Sequence, residues 1–164
     1  MWKTTLRLSI ILLFSVPQLA YGQTSPATIT DFVLAMEAVK QPDKTPEDVA
    51  AYLAFMTDDI SDIHVAYNVS FEGKQKLRQN LLESTRKIFN ASLELEGITL
   101  GSGVAIVQLT ESSKYVRRNE LVDFSGRTIL VLELTEDGHI SQMRRYLDTA
   151  SVIRNAVPCG EGNC

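Results

Sequence analysis

The sequence has little of what builds the specialised classes of protein. Its 164 residues include two cysteines and two histidines, too few for a disulfide-built scaffold and a poor supply for a metal site. Glycine-rich phosphate motifs and the GxSxG element of hydrolases are absent. The net charge of −4 argues against a surface that binds nucleic acid. Past residue 22 no apolar run reaches about 18 residues, so no membrane span is predicted in the mature chain. What remains is an ordinary globular composition, 45% hydrophobic and 22% charged.

The first 22 residues are typical of a secretory signal peptide. Lys3 and Arg7 precede an apolar run that Pro17 interrupts, and Ala20-Tyr21-Gly22 offers small residues at a cleavage site. We therefore predict that residues 1–22 are removed and that the protein is secreted or periplasmic. An uncleaved N-terminal anchor is the alternative.

Both cysteines, Cys159 and Cys164, lie in the C-terminal segment 151–164, which we interpret as a tail. An oxidising compartment favours a disulfide between them. The loop that it closes is short, so it would fix the tail rather than stabilise the fold. Asn68 and Asn90 begin glycosylation sequons whose use depends on the source organism.

Apolar spacing predicts helices in the first part of the remaining domain, residues 23–150. Apolar residues recur at helical spacing over Ile29–Val39, and Pro42 ends that segment. Thr45 has the features of an N-cap for a second helix. A third helix follows Gly73. The apolar face of the second helix is predicted to comprise Val49, Tyr52, Leu53 and Met56.

The segment between the second and third predicted helices alternates, as in a strand. Ile63, Val65 and Tyr67 fall on one side; Asp62, His64 and Ala66 fall on the other. Tyr67 and His64 can line one pocket only if the chain bends there.

After Asn90 the apolar period becomes that of strands. Gly103–Leu109 is nearly continuous, which predicts a strand covered on both faces with Gln108 as a buried amide whose face is undetermined. We interpret residues 111–114 as a turn and residues 136–138 as a hairpin turn before the last strand, His139–Leu147. Helices followed by an antiparallel meander predict an α+β fold, with the helices on one face of a curled sheet.

This order of elements resembles the nuclear-transport-factor-two-like superfamily, and within it the SnoaL-like polyketide cyclase branch. The resemblance spans about residues 29–149. It rests on Met56-Thr57-Asp58-Asp59-Ile60, Glu72-Gly73-Lys74-Gln75-Lys76-Leu77-Arg78, Asp137-Gly138-His139-Ile140 and Tyr146-Leu147-Asp148. It implies a cone-shaped, cystatin-like α+β barrel with a pocket between a curled antiparallel sheet and the N-terminal helices, often dimerised through the sheet. It does not imply one function, since these folds include isomerases, cyclases, hydrolases and binding modules.

The resemblance implies a general base at His64. In ketosteroid-isomerase-like members a carboxylate base follows the Asp-Asp pair by five positions, and counting from Asp59 that position is His64. A histidine can take and return a proton near neutral pH. An exposed polar residue and a buried structural histidine are the alternatives. The isomerase's second acid falls at Leu130, which argues against steroid isomerisation, and Glu133 should face the other way.

The last strand offers the second catalytic candidate, Arg145. By period two, Arg145 shares a face with Met143 and Leu147, which the resemblance turns toward the pocket, where a guanidinium can clamp a carboxylate or enolate oxygen. A surface salt bridge is the alternative. The ligand-binding candidates are Tyr52, Met56, Gln108, Met143 and Leu147.

Two functions of different classes fit this sequence. The first is an exported binding module that holds a small apolar or amphipathic organic molecule without converting it. The second is a cofactor-free SnoaL-like cyclase, isomerase or dehydratase with His64 as base. A dimeric accessory domain without a ligand is a third possibility. The incomplete set of polar candidates favours the binding module, and neither a metal nor a cofactor is predicted.

Overall fold

The computed structural model describes residues 24–84, 88–117 and 119–158. The predicted signal peptide, residues 1–22, and the predicted disulfide between Cys159 and Cys164 lie outside these ranges. Within them the chain forms three helices, one 3₁₀ turn and seven strands. In chain order they are α1 (Pro26–Ala38), α2 (Pro46–Leu53), β1 (Met56–His64), the 3₁₀ turn (Val65–Tyr67), β2 (Val69–Glu72), α3 (Lys74–Ser84), β3 (Ile88–Gly101), β4 (Val104–Arg117), β5 (Glu120–Leu134), β6 (Ile140–Leu147) and β7 (Ile153–Pro158).

Local sequence explains where α2 begins. Thr45 Oγ1 accepts a hydrogen bond from Asp48 N at 3.2 Å, and Asp48 Oδ2 accepts one from Thr45 N at 2.7 Å. This reciprocal capping box satisfies two backbone donors that the helix leaves unpaired, and the predicted N-cap is confirmed. The helix ends at Leu53 rather than continuing to Met56, which begins β1 but is buried as expected.

The strands form one curled sheet, which is not closed into a barrel within the described residues. Its order is β2-β1-β6-β5-β4-β3, and β7 pairs with the first part of β5. The predicted α+β class, with helices packed against a curled sheet, is confirmed. The sheet is mixed, because β1 and β6 lie parallel while every other pair is antiparallel. β7 belongs to the segment that we interpreted as a tail.

Burial along β4 corrects the prediction of a strand covered on both faces. Ala105, Val107 and Leu109 are buried, whereas Ile106 and Gln108 between them are exposed. The strand therefore has one face on the core and one outer face. Gln108 is not a buried amide, since its side chain belongs to the outer face.

The predicted turn at residues 111–114 is also wrong. These residues continue β4 and lie opposite residues 123–126 of β5 in unbroken register. The chain reverses near Asn119, which has a φ of +65°. Four consecutive polar residues are typical of a turn, but here cross-strand pairing keeps them extended.

The hydrophobic core lies between the helices and one face of the sheet. Phe32 of α1 and Tyr52 of α2 stack at its centre with ring centroids 5.5 Å apart. Its buried members from the sheet include Ile60, Val107, Leu109, Leu130, Leu132, Ile140 and Met143. The opposite face carries the exposed side chains of Ile106, Ile129 and Tyr146. None of the helices in the described part of the chain is long and apolar enough to cross a membrane.

Candidate functional site

A cavity of about 710 Å³ opens between the helices and the sheet. Its volume is in the range of sites that hold small organic ligands. Apolar side chains cover much of its wall: Val39, Leu77, Leu81, Ile88, Tyr115 and Leu147. Charged side chains from the α1–α2 connection and from β1, β4, β6 and β7 reach the same space.

A buried ion pair lies at the sheet side of the cavity. Arg145 of β6 donates from Nε to Asp62 Oδ1 at 3.0 Å and from Nη2 to Asp62 Oδ2 at 3.1 Å. Nη2 also donates to the Tyr52 hydroxyl at 2.9 Å, and Nη1 donates to Met36 Sδ at 3.5 Å. Asp62 is 1% exposed. The two-pronged geometry and the extra donors are what a buried charge pair needs to offset the loss of hydration.

The pair controls the ionisation of its members. Burial by itself would raise the pKa of Asp62, but the charge of Arg145 and the interactions with His64 outweigh it and lower the pKa to about 2. Burial raises the pKa of Tyr52 to about 12, against the opposing charge of Arg145. The Asp62 charge raises the pKa of Arg145 in spite of burial. At neutral pH the cluster therefore holds one carboxylate, one guanidinium and a neutral phenol.

His64 adjoins this cluster and lines the cavity beside it. Its Nε2 lies 3.5 Å from Asp62 Oδ2, and its side chain is 30% exposed. Phe71 contacts the ring edge to face, with centroids 5.9 Å apart. Directly after His64 the 3₁₀ turn bends the chain, and Asn68 ends the turn in the left-handed region. That bend brings Tyr67 onto the same cavity wall as His64.

A second ion pair faces the cavity from the other side. Lys40, in the turn after α1, pairs with Glu111 of β4, and both side chains are part-buried. Burial opposes ionisation of Glu111, but the Lys40 charge prevails and the pKa of Glu111 is lowered. Across the described ranges no group of three or more His, Cys, Asp and Glu side chains is placed to hold a metal ion.

Of the seven candidate site residues, three line the cavity and four do not. His64, Arg145 and Leu147 line the cavity. Tyr52 is fully buried behind Arg145 and reaches it through its hydroxyl. Met56 and Met143 lie in the hydrophobic core and do not line the cavity. Gln108 lines a separate depression of about 350 Å³ with Ile129 and Tyr146.

The predicted clamp, Arg145, faces the expected side but is already engaged. Its Nε and Nη2 donors go to Asp62 and Tyr52, so the fork that would hold a ligand oxygen is occupied by protein. Glu133 turns to the outer face as expected, where its carboxylate accepts from Arg144 at 2.8 Å.

Sequence reasoning missed the partner that organises the site, Asp62. Strand alternation had already put it on the same side as His64, which was a usable signal. A carboxylate on an inward face has to have a cation near it, and Arg145 had been assigned to an inward face as well. Glu111 was missed because the segment that carries it was interpreted as a turn.

The lowered pKa of Asp62 makes the free energy of unfolding depend on pH. We expect the free energy of unfolding to fall by about 2 kcal/mol as pH drops from about 5 to about 2. The pKa of Asp62 is about 2 in the fold against an ordinary value of 3.8, so the unfolded chain takes up the proton first. This contribution to stability is fully present at pH values above the ordinary pKa of 3.8, and it is lost as the pH falls through the folded-state pKa of about 2. Urea unfolding at several pH values measures it.

The matched control is Asp62→Asn, which lacks the titrating group but keeps the other carboxylates. The drop in stability with falling pH should be larger in the unsubstituted protein by about 2 kcal/mol. Equal drops in both proteins would mean that Asp62 is not held ionised by the fold.

Comparison of the amino-acid sequence finds no matching family model and no matching curated protein. Solved structures do match. A protein from Shewanella putrefaciens described as a SnoaL-like polyketide cyclase superposes with a TM-score of 0.62 at 13% identity, over 78% of this chain and 94% of that chain. A protein from Catenulispora acidiphila with a ketosteroid isomerase-like fold, in complex with trimethylamine, gives 0.60 at 14% identity, over 78% and 90%. An LEH-like epoxide hydrolase from M. tuberculosis gives 0.52 at 20% identity, over 74% and 86%.

These similarities establish the fold. The chain has the architecture of SnoaL-like and NTF2-like proteins, and the predicted resemblance to that superfamily is confirmed at this level. Identities of 13–20% do not carry a function from one protein to another.

Proposed function

We propose that this protein binds a small, largely apolar organic molecule in the cavity between its helices and its sheet. The observation that carries the proposal is the cavity, whose volume is about 710 Å³ and whose wall is mostly apolar with a few charged groups. Sites of this size and lining bury most of a small ligand and use a few polar contacts to orient it.

The contacts of the charged groups favour a binding function over catalysis. The donors Nε and Nη2 of Arg145 are taken by Asp62 and Tyr52, which rigidifies this wall and leaves little of the guanidinium for a reacting group. A preformed wall avoids an ordering cost when a ligand enters. The Catenulispora protein of similar fold, solved with trimethylamine, supports the idea that this architecture holds small organic molecules.

Binding is testable with N-phenylnaphthylamine, a neutral probe whose fluorescence rises in apolar surroundings. We expect saturable binding to the protein. The variant Ser113→Trp should weaken it by about tenfold or more, because a large ring on the inner face of β4 fills the space that the probe needs.

The matched control is Ser112→Trp, on the next residue of the same strand. Ser112 does not line the cavity, since neighbouring strand residues face opposite sides. The affinity of the Ser112→Trp variant for the probe should stay close to that of the unsubstituted protein. Absence of saturable binding, or equal effects of the two tryptophans, would contradict the proposal.

A second candidate function is base catalysis by His64. The observation in its favour is the 3.5 Å contact between His64 Nε2 and Asp62, a carboxylate that stays ionised. An ionised carboxylate next to an imidazole stabilises the ring after it accepts a proton. A substrate in the cavity would meet the exposed part of this ring.

We also propose export and pairing of two copies. The signal-peptide pattern of residues 1–22 supports a secreted or periplasmic location, which the mass of the chain recovered outside the cytoplasm would test. The exposed apolar side chains of Ile106, Ile129 and Tyr146 on the outer face of the sheet support a homodimer. Sedimentation equilibrium would test the dimer.

A further inference from the structure

The charges that face the cavity do not balance. Among the described residues, four cationic side chains line it, Lys40, Lys44, Arg145 and Arg154, against two carboxylates. Both carboxylates already have partners: Asp62 is held by Arg145 through both oxygens, and Glu111 is paired with Lys40. The negative charge of each carboxylate is therefore already matched by a cation of the protein.

Two of these cations have no counter-ion among the described residues. Within residues 24–84, 88–117 and 119–158, no carboxylate lies within ion-pair distance of Lys44 or Arg154. Lys44, just before α2, donates to the carbonyl oxygen of Leu81 in α3, which is a neutral partner. An ammonium has three donors, so this bond leaves donors available to a ligand. Burial without a compensating anion lowers the pKa of Lys44.

Arg154 of β7 also has donors that remain available to a ligand. Its guanidinium lies over the ring of Phe124, 5.9 Å from the centroid, a contact that uses the face of the group and not its N–H donors. A planar guanidinium presents donors in a fork that matches a carboxylate. Phe124 also lines the cavity, so an apolar surface adjoins this cation.

We propose that the occupant of this cavity is a hydrophobic carboxylic acid, whose carboxylate is held by the unmatched positive charge of Lys44 and Arg154. This inference rests on the proposed binding function and adds the chemical class of the ligand. The apolar body lies against the wall formed by residues such as Leu77, Tyr115 and Leu147. A ligand that carries a cation would instead add to the excess positive charge.

The test is displacement of N-phenylnaphthylamine at neutral pH by three compounds with one ring system. Naphthylacetic acid is an anion there, naphthylacetamide is neutral and naphthylethylamine is a cation. We expect the acid to displace the probe at a concentration about tenfold lower than the amide, and the amine to be weakest. The preference for the acid should shrink as sodium chloride is added, because salt screens partly exposed charges.

Lys44→Met and Arg154→Gln should each reduce the preference for the acid, and the double variant should abolish it. Saturable binding of the neutral probe to each variant reports that the cavity is intact, and displacement is compared with that variant's own affinity for the probe. The matched controls are Lys76→Met and Arg78→Gln, which remove the same charges from exposed positions of α3 away from the cavity. They correct for the change in net charge.

The outcomes separate the two proposals. Failure of the neutral probe to bind overturns the proposed function and this inference with it. Probe binding with equal displacement by acid and amide, or with the amine strongest, leaves the binding function standing and overturns the ligand class. An acid preference that the control variants remove as fully as Lys44→Met and Arg154→Gln also overturns it.

Discussion

Asp62→Asn should lower the free energy of unfolding by about 3–5 kcal/mol. Asparagine keeps the shape of the side chain but not its charge, so the guanidinium of Arg145, 13% exposed, would lose its counter-ion inside the protein. Tyr52 cannot replace the lost charge, because its pKa is about 12 and it stays neutral. Urea unfolding at neutral pH measures the loss.

The control for this substitution uses the neighbouring arginine of β6. Arg144 Nη1 donates to Glu133 Oε1 at 2.8 Å, a shorter contact than the 3.0 Å of the buried pair, but these side chains are 38% and 44% exposed. Glu133→Gln should therefore cost less than about 1 kcal/mol, since water solvates the remaining charge. Similar costs for the two substitutions would mean that burial does not set the strength of the Asp62–Arg145 pair.

A double substitution separates the unpaired charge from lost packing. Asp62→Leu combined with Arg145→Met removes both charges and keeps apolar volume. It should recover most of the stability that Asp62→Asn loses, because replacing a buried pair as a whole is often close to neutral. If the double variant is as unstable as the single one, packing rather than charge explains the loss.

If the cavity supports base catalysis, His64→Ala should slow proton abstraction by about 10² to 10⁴, the usual contribution of a positioned base. Nitrobenzisoxazole is a suitable neutral probe. A base removes the ring C–H proton, the N–O bond breaks, and a coloured cyanophenolate is released without any cofactor. His64→Gln should have the same effect, because it keeps a polar side chain of similar length without basicity.

The second histidine of the chain supplies the control. His139 lies in the turn before β6, where its Nδ1 is 3.0 Å from Asp137 Oδ2, and it does not line the cavity. His139→Gln should leave the rate unchanged. Loss of the same size from His139→Gln, or no loss from His64→Gln, would remove His64 as the base; N-phenylnaphthylamine binding to each variant shows whether its cavity persists.

Much of the site could be predicted from residue order, and its central contact could not. The resemblance placed a base at His64 and turned the face that carries Arg145 and Leu147 toward the pocket, and all three residues line the cavity. Alternation says which side a residue faces but not what it meets there. The sequence analysis therefore left Arg145 available to a ligand, whereas Asp62 and Tyr52 engage it.

The errors in the strands have a related cause. Gly103–Leu109 is apolar at almost every position, so its composition does not indicate which face of the strand is buried. Alternate residues are buried because the helices pack against only one face of the sheet. Residues 111–114 have the composition of a turn, yet pairing with β5 extends them. In both cases a partner distant in sequence overrode the local pattern.

The sequence by itself determined the features that depend on near neighbours. The capping box of Thr45 and Asp48 joins residues three apart, and the positive φ of Gly138 serves a turn three residues long. Such interactions need no partner from a distant part of the chain, so pattern and residue type predict them.

Only the tertiary structure decided the polar centre of the cavity. Asp62 and Arg145 are 83 residues apart, and they meet because β1 lies parallel to β6, with His64 opposite Arg145 in the register. β7 returns to pair with β5 and carries Arg154 to the cavity. Removal of this pair from water couples the ionisation of Asp62, Arg145 and Tyr52, and that coupling arises from burial and proximity, which no single segment of the chain contains.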